Sequence, residues 1–181
     1  MITLPINLVN FSPGTQYTNS VYLDSNLLIY CRNRNSSKYR EAVTVLGNLI
    51  RQQVNLCVSN LVIDELWCVL LRGWHRAHTG NNLTVGRFKR NPAIIQNYKY
   101  LIERTTDKIL HLPNIQIVAS PVNKQKFVKK VMTTLFSENL TPRDGFHLGH
   151  TIANNIQGFV TSDGDFDSLN LQGYNLTVFK Y

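Results

Sequence analysis

The chain has 181 residues, 43% of them hydrophobic, which suits one ordinary globular domain and excludes a disordered or collagen-like chain. It is basic, with 19 Lys and Arg residues against 11 Asp and Glu residues and a net charge of +8. This charge favours nucleic acids, acidic proteins and anionic membranes alike, so it does not by itself select a partner.

Strands and helices alternate in the first part of the chain. The first clear strand is predicted at Ser20–Leu23, after an N-terminal arm or short extra strand. Apolar residues at helical spacing predict a helix at 38–53, and a short run with β-branched residues predicts a second strand at 54–58. Asn60 can cap the helix that follows, from residue 61 to about residue 72.

The segment 73–92 differs in composition from the rest of the chain. It is rich in glycine, asparagine, histidine and basic residues, and Asn91-Pro92 closes it as a turn. We predict a loop or loosely folded insertion here, within a single domain that spans residues 1–181. Residues 74–88 interleave aromatic and basic side chains as RNA-stacking surfaces do, and an ordinary solvated loop fits the same pattern.

The second half of the chain continues the alternation. Helices are predicted at 93–110, 122–136 and 141–155, and strands at 115–119, 159–161 and 176–179. Strands that alternate with helices favour an α/β fold of three α/β/α layers, with a central and mainly parallel sheet.

The cysteines and the hydropathy of the chain predict a cytoplasmic protein. Three cysteines without a CxxC pair argue against a disulfide framework and favour a reducing compartment. The N-terminus lacks the basic start of a secretion signal, and no apolar run approaches the roughly 18 residues that span a bilayer. No membrane partner is therefore expected.

Two aspartates follow predicted strands. Asp24 and Asp163 each come directly after or close to a strand end, and ligands of parallel α/β folds bind beyond the carboxyl ends of the strands. Asp24 fits two interpretations equally well. It is either a turn or helix-capping residue, or a metal ligand supported by Ser25 or Asn26.

Two further acids belong to predicted helices. Glu65 interrupts an apolar helical stripe, where a charge is costly without a partner, so it is either a site residue or a carboxylate held by an arginine. Asp144 lies three residues after Thr141 at a helix start with Pro142, and this local pattern favours a capping role. The apolar neighbours of Glu65 on its helix are Leu61, Val62, Cys68 and Val69.

Two apparent metal motifs are rejected. Asp163, Asp165 and Asp167 have the spacing of a calcium loop, but the glycine is misplaced and Tyr174 stands where the bidentate glutamate belongs. His147 and His150 form an HxxH pair with no evident third ligand, so hydrogen-bonded or partly exposed histidines are the better interpretation.

The acids and their surroundings together resemble the PIN domain, the nuclease fold of VapC-type toxins. The resemblance covers most of residues 20–181 and rests on four segments in order, at 21–29, 58–66, 143–153 and 158–166. The most specific part is an aspartate that opens a helix of small and apolar residues, followed by a strand that ends in a Thr-x-Asp-x-Asp-Phe turn. The chain departs from compact toxin domains in its length around 73–92, and Gly149 and Asn154 stand where the family often has alanine.

The resemblance implies a metal-dependent endoribonuclease, the toxin of a toxin–antitoxin pair, that hydrolyses RNA phosphodiester bonds with Mg²⁺ or Mn²⁺. A cognate antitoxin protein is the implied partner; dimerisation is common in the family, and the sequence defines no dimer interface. The implied catalytic and metal-binding acids are Asp24, Glu65, Asp144 and Asp163, with Asp165 as an auxiliary ligand and Ser25, Asn26, Thr161 and Ser162 as polar supports.

Two other functions stay open on the sequence. One is a catalytically inactive PIN-like module that binds RNA or protein, and the other is a structure-selective DNA nuclease of related fold. A receiver domain is excluded because Ala119-Ser-Pro stands where its acceptor aspartate belongs, and a haloacid-dehalogenase-like phosphatase is excluded because Asp24-Ser-Asn26 replaces its Asp-x-Asp motif.

Overall fold

The computed structural model describes residues 7–120, 123–169 and 174–181, and its centre is a parallel β-sheet. All strand pairs are parallel, in the order β1-β6-β5-β2-β3-β4. Helices flank this sheet, so the predicted three-layer α/β architecture is confirmed. The strands are β1 (Asn7–Asn10), β2 (Ser20–Leu23), β3 (Asn55–Val58), β4 (Ile115–Ile117), β5 (Gly158–Thr161) and β6 (Thr177–Lys180).

Helices connect the strands, and none that the structure describes has the length and apolar character of a membrane span. The segments Pro92–Tyr98 and Gly164–Phe166 form 3₁₀ helices. The α-helices are α1 (Ser25–Arg32), α2 (Tyr39–Arg51), α3 (Asn60–Thr79), α4 (Val85–Arg90), α5 (Lys99–Leu110), α6 (Lys124–Glu138) and α7 (Pro142–Ala153).

The central strands are buried on both faces. Val21, Tyr22 and Leu23 of β2 are fully buried, as are Phe159 and Val160 of β5. A parallel sheet covered by helices on both sides requires such continuous apolar strands, rather than the alternating pattern of a half-exposed sheet. The apolar runs by which these strands were predicted are therefore the centre of the hydrophobic core.

The chain changes direction across the sheet between β2 and β5. From β2 it proceeds outward through β3 and β4, and it then returns to build β5 and β6 on the other side. At such a switch point the connections leave in opposite directions, which opens a crevice at the carboxyl ends of the two strands. The register pairs Leu23 with Val160, so Asp24 and Thr161 lie side by side at this crevice.

Helices contradict the predicted loop over most of 73–92, and an insertion within a single domain stays a prediction. Helix α3 continues to Thr79 and ends at Gly80, whose positive φ of 71° closes the helix, and α4 follows. Trp74 and Phe88 of this segment pack into a second, smaller core around Leu71, Leu83 and Tyr98. Burial of these side chains outweighs the helix-weakening effect of Gly73, which lies inside α3.

Most other predicted elements agree with the structure to within a few residues, but the helix predicted at 93–110 is α-helical only from Lys99, after the 3₁₀ helix Pro92–Tyr98. The strand predicted at 115–119 ends earlier, at Ile117, and Ser59 rather than Asn60 precedes the first turn of α3. The predicted start of α6 at residue 122 lies outside the described residues. All three cysteines are free thiols, as the absence of a paired motif indicates.

Candidate active site

Asp24 is fixed at the switch point by its neighbours. It is buried at 5% exposure, and its Oδ2 accepts hydrogen bonds from Thr161 Oγ1 at 2.6 Å and from Asn26 Nδ2 at 3.2 Å. Ser25 Oγ donates to Oδ1 at 3.3 Å, and the Asp24 side chain also caps α1. The capping and site interpretations of Asp24 are thus compatible, and Ser25, Asn26 and Thr161 contact it as expected of polar supports.

Glu65 is held by two side chains from α7, His147 and Arg143. Its Oε2 lies 2.9 Å from His147 Nε2, and its Oε1 lies 3.5 Å from Arg143 Nε. Burial acts to raise the pKa of Glu65, but the hydrogen bond and charge of His147, the nearby Ser25 hydroxyl and the charge of Arg143 outweigh burial and lower it. Glu65 is therefore an ionised carboxylate with an arginine partner, as one of the two sequence interpretations requires.

His147 connects Glu65 to a buried hydrogen-bond chain. The imidazole is 2% exposed, and its Nδ1 lies 2.9 Å from the Tyr22 hydroxyl, which shares a 2.6 Å hydrogen bond with Ser59 Oγ. Burial raises the pKa of Tyr22, so this hydroxyl stays protonated. The interpretation of His147 as a satisfied histidine holds, but its position in the site was missed. Its place three residues after Asp144 on one helix face is the signal that could have identified it.

Asp24, Glu65 and His147 form the closest grouping of potential metal ligands in the described parts of the chain. One ligand atom from each residue lies within 4.8 Å of the others, and all three residues are buried. Asp24 directly follows β2, Glu65 lies near the start of α3, and His147 lies on α7. Two of the four predicted acids are therefore in one small space.

Asp144 borders this group. Its backbone N–H donates to Thr141 Oγ1 at 3.4 Å, and the Thr141 hydroxyl donates back to Asp144 Oδ2, so the predicted cap is formed. Burial raises the pKa of Asp144, and the negative charges of Asp163 and Asp24 raise it further, against the opposing effects of Thr141 and His147. The carboxylate of Asp144 therefore lies in the electrostatic field of the other acids.

Asp163 and Asp165 lie in the turn after β5. The Asp163 N–H donates to Thr161 Oγ1 at 2.9 Å, and Asp163 Oδ1 accepts from the Asp165 N–H at 3.0 Å, which starts the 3₁₀ turn. Asp165 is exposed and Ser162 is partly buried. Thr161 thus contacts both Asp24 and the backbone of Asp163, which couples the two strand ends. Asp165 lies at the rim of the turn rather than among the buried acids.

Comparison with known proteins gives a family and a fold. The PIN domain family model matches residues 21–170. A Rickettsia felis VapBC2 structure, bound to a DNA fragment from its promoter, is 17% identical with a TM-score of 0.53, covering 88% of this chain and 96% of that one. Mycobacterium tuberculosis VapC20, a sarcin-ricin loop cleaving toxin, is 13% identical with a TM-score of 0.50, covering 84% of this chain and 98% of that one.

No curated protein matches the chain in sequence. At these identities the two solved structures show a shared fold. The family model covers most of the chain, from the strand that precedes Asp24 to the turn that follows Asp163. The chain therefore belongs to the PIN domain family.

Proposed function

We propose that this chain is a metal-dependent endoribonuclease and the toxin of a toxin–antitoxin pair. The observation that carries the proposal is the convergence of Asp24 and Glu65 with His147 in a buried group whose ligand atoms lie within 4.8 Å of one another. This group lies at the switch point of a PIN-family sheet, where ligands of such folds bind. Carboxylates gathered there repel one another unless a proton or a cation intervenes.

The donor atoms fit Mg²⁺ or Mn²⁺. Hard divalent cations prefer carboxylate oxygens, which Asp24, Glu65, Asp144 and Asp163 supply, with Asp165 as an auxiliary ligand. His147 Nε2 already contacts Glu65, so we assign the imidazole to orienting that carboxylate. Thr161 and Asn26 do the same for Asp24, and Ser25 and Ser162 complete the polar surroundings.

The chemistry assigned to the site is hydrolysis of an RNA phosphodiester bond. A divalent cation bound there supplies charge neutralisation at the phosphate and acidification of a water molecule. Asp24 and Glu65 are held in fixed orientations before substrate binds, which avoids reorganisation during the reaction. One carboxylate of the group takes up the proton released by the attacking water.

The partners follow from the same proposal. A net charge of +8 favours an RNA substrate, and one solved structure of similar fold is described as a toxin that cleaves the sarcin-ricin loop. The other contains VapBC2, which supports a protein antitoxin as the partner of this chain. A homodimer and a cytoplasmic location stay predictions.

Asparagine substitution of the acids tests the proposal. We expect Asp24→Asn and Asp144→Asn each to abolish RNA cleavage in Mg²⁺ or Mn²⁺, because the charge is lost while asparagine retains a capping oxygen. Asp64→Asn is the matched control, since Asp64 is exposed beside Glu65 on α3, and it should cleave like the unmodified chain. Circular dichroism and thermal melts confirm folding, and EDTA should stop cleavage. Full activity in both site variants would refute the assignment.

One observation favours a binding module without catalysis. Glu65 is already paired with His147 and Arg143, so this carboxylate is satisfied without a metal ion. The same assay separates the two functions. RNA binding without cleavage in either Mg²⁺ or Mn²⁺ supports the module, and cleavage that disappears in Asp24→Asn supports the nuclease.

A further inference from the structure

A second polar cleft lies away from the acidic group. It is formed between the end of α3, α4 and the following 3₁₀ helix, with a volume of about 480 Å³. Its polar lining residues are His75, Thr79, Asn81, Arg87, Arg90 and Asn91. On α3, His75 lies ten residues after Glu65, roughly 15 Å along the helix axis. The cleft is therefore separate from the proposed catalytic site.

His75 has an unsatisfied polar atom. The side chain is buried at 6% exposure, and its Nδ1 shares a 3.2 Å hydrogen bond with the Tyr98 hydroxyl. Its Nε2 is also buried and has no hydrogen-bond partner among the described residues. Such a group costs about 1–3 kcal/mol when unpaired, so we expect a water molecule or a ligand atom to pair with it, and His75 lines the cleft.

Two arginines at the cleft have no anionic partner. Arg87 and Arg90 are exposed, and neither forms an ion pair with any acid that the structure describes. Arg90 Nε donates to the Gly86 carbonyl at 3.2 Å, which leaves its two terminal nitrogens available. Arginines near a helix C-terminus are ordinary, because they offset the helix dipole, but that role does not explain His75.

The local charge is entirely positive. The sequence contains no aspartate or glutamate between Glu65 and Glu103. A ligand of this cleft therefore meets no carboxylate from the segment that forms it. The basic residues in that interval are Arg72, Arg76, Arg87, Lys89, Arg90 and Lys99.

We infer that this cleft binds a phosphate group. Arginine forks match the tetrahedral oxygens of phosphate, and an imidazole N–H supplies a further directed donor. Tyr98 can donate to Nδ1, and this arrangement leaves the proton on Nε2. The phosphate comes either from the backbone of an RNA strand or from free inorganic phosphate. If the phosphate belongs to RNA, the roughly 15 Å between His75 and Glu65 along α3 corresponds to roughly four nucleotides, at 3.4 Å per nucleotide of one strand.

Direct observation of His75 tests the inference. The five histidine rings are followed by ¹H–¹⁵N NMR without divalent ions, and His75 is assigned by its absence in His75→Asn. We expect inorganic phosphate to shift the His75 ring resonances, and Arg87→Gln/Arg90→Gln to remove that shift. Arg76→Gln/Lys89→Gln is the matched control, because it removes two exposed charges that do not line the cleft, and it should retain the shift.

A second arm identifies the source of the phosphate. If the source is RNA, a single-stranded oligoribonucleotide shifts the same resonances, and the Arg87/Arg90 variant binds it about tenfold or more weakly by fluorescence anisotropy. For this variant, the slope of log Kd against log salt concentration is then smaller by about 0.7, which corresponds to the loss of one phosphate contact. Equal RNA affinity in both double variants, together with a phosphate shift in the unmodified chain that only Arg87→Gln/Arg90→Gln removes, identifies free phosphate as the source.

Two results would overturn the inference. One is a His75 resonance that neither phosphate nor RNA moves, and the other is a poly-glutamate peptide that shifts it more strongly than RNA does. The phosphate-binding experiments are done without divalent ions. A negative result in them is therefore distinguishable from a loss of metal-dependent cleavage in the nuclease assay.

Discussion

Thr161 donates a short hydrogen bond that orients the carboxylate of Asp24. The 2.6 Å hydrogen bond joins the ends of two adjacent strands, and the same hydroxyl accepts from the backbone of Asp163. Loss of this hydroxyl frees Asp24 without removing its charge. A substitution of Thr161 therefore tests whether the orientation of the Asp24 carboxylate matters, because the carboxylate itself remains.

We expect Thr161→Val to lower metal-dependent cleavage about 10- to 100-fold, the usual effect of removing a partner that orients a metal ligand. Thr151→Val is the matched control. Thr151 is fully buried near the site, but its hydroxyl donates to the His147 carbonyl within α7. Cleavage rates and apparent Mg²⁺ affinities are compared for the two variants, and equal losses in both would contradict the role of Thr161.

Glu65 makes the stability of the protein depend on pH. Its pKa is lowered on folding from an ordinary value of 4.5, so its stabilising contribution is fully present above about pH 4.5 and is lost as the pH falls through the folded-state pKa. Urea titrations should therefore show the unmodified chain more stable than Glu65→Gln at pH 6. That difference should shrink on acidification, and a difference that grows below pH 4.5 would contradict the pairing.

The sequence located the acids better than it located their partners. The position of Asp24 could be predicted because strand ends meet at one edge of a parallel sheet, and that of Glu65 because a charge interrupts an apolar stripe. The part of Asp163 in the site stays a prediction. The contact of His147 with Glu65 joins residues 82 positions apart, and its contact with Tyr22 spans 125 positions. Such pairings depend on how α7 packs, which local sequence does not specify.

Two glycines inside helices have opposite roles. Gly73 lies in α3 with nothing within 4 Å of an added Cβ, whereas a Cβ at Gly149 in α7 would lie 2.5 Å from Val131 Cγ2 and 3.2 Å from Phe127 Cε2 of α6. Gly149 stands where the family often has alanine, and this close approach of α6 and α7 explains the departure. The effect of a side chain on stability is therefore set by helix propensity at Gly73 and by packing against α6 at Gly149.

We expect Gly73→Ala to raise the free energy of unfolding by about 0.5–1 kcal/mol, because alanine loses less backbone entropy in a helix. Gly149→Ala should lower it by about 1–3 kcal/mol, because α6 must shift to admit the methyl group. The two substitutions are chemically identical, so each is the control for the other. Urea denaturation measures both, and stabilisation by Gly149→Ala would contradict the packing described for α6.

The elements with regular apolar patterns were predicted to within a few residues, and the segment 73–92 was not. Its glycines and asparagines are typical of loops, yet Trp74 and Phe88 pack around the second core. The interleaving of aromatic and basic residues arises because one face is buried there and the other is exposed. A short window with no strong period does not distinguish this arrangement from a solvated loop.

At the scale of the whole molecule, the order of strands is the feature that sequence reasoning left open. Alternating elements predict a parallel sheet but not which strands are neighbours. The structure places β2 and β5 together in the centre and pairs β1 with β6 at one side. This order brings residues from the first and last thirds of the chain to the same crevice, and it makes most sheet contacts long in sequence.

The pairing of β1 with β6 has a consequence for biosynthesis. Asn7 is in register with Thr177 and Asn10 with Lys180, so residues up to Lys180 must leave the ribosome before β1 and β6 can pair. The hydrogen bond that orients Asp24 likewise forms only after Thr161 has been synthesised. Synthesis from the N-terminus thus delays assembly of the carboxylate cluster until Thr161 has left the ribosome, and a nascent chain that ends before Thr161 lacks the contact that orients Asp24.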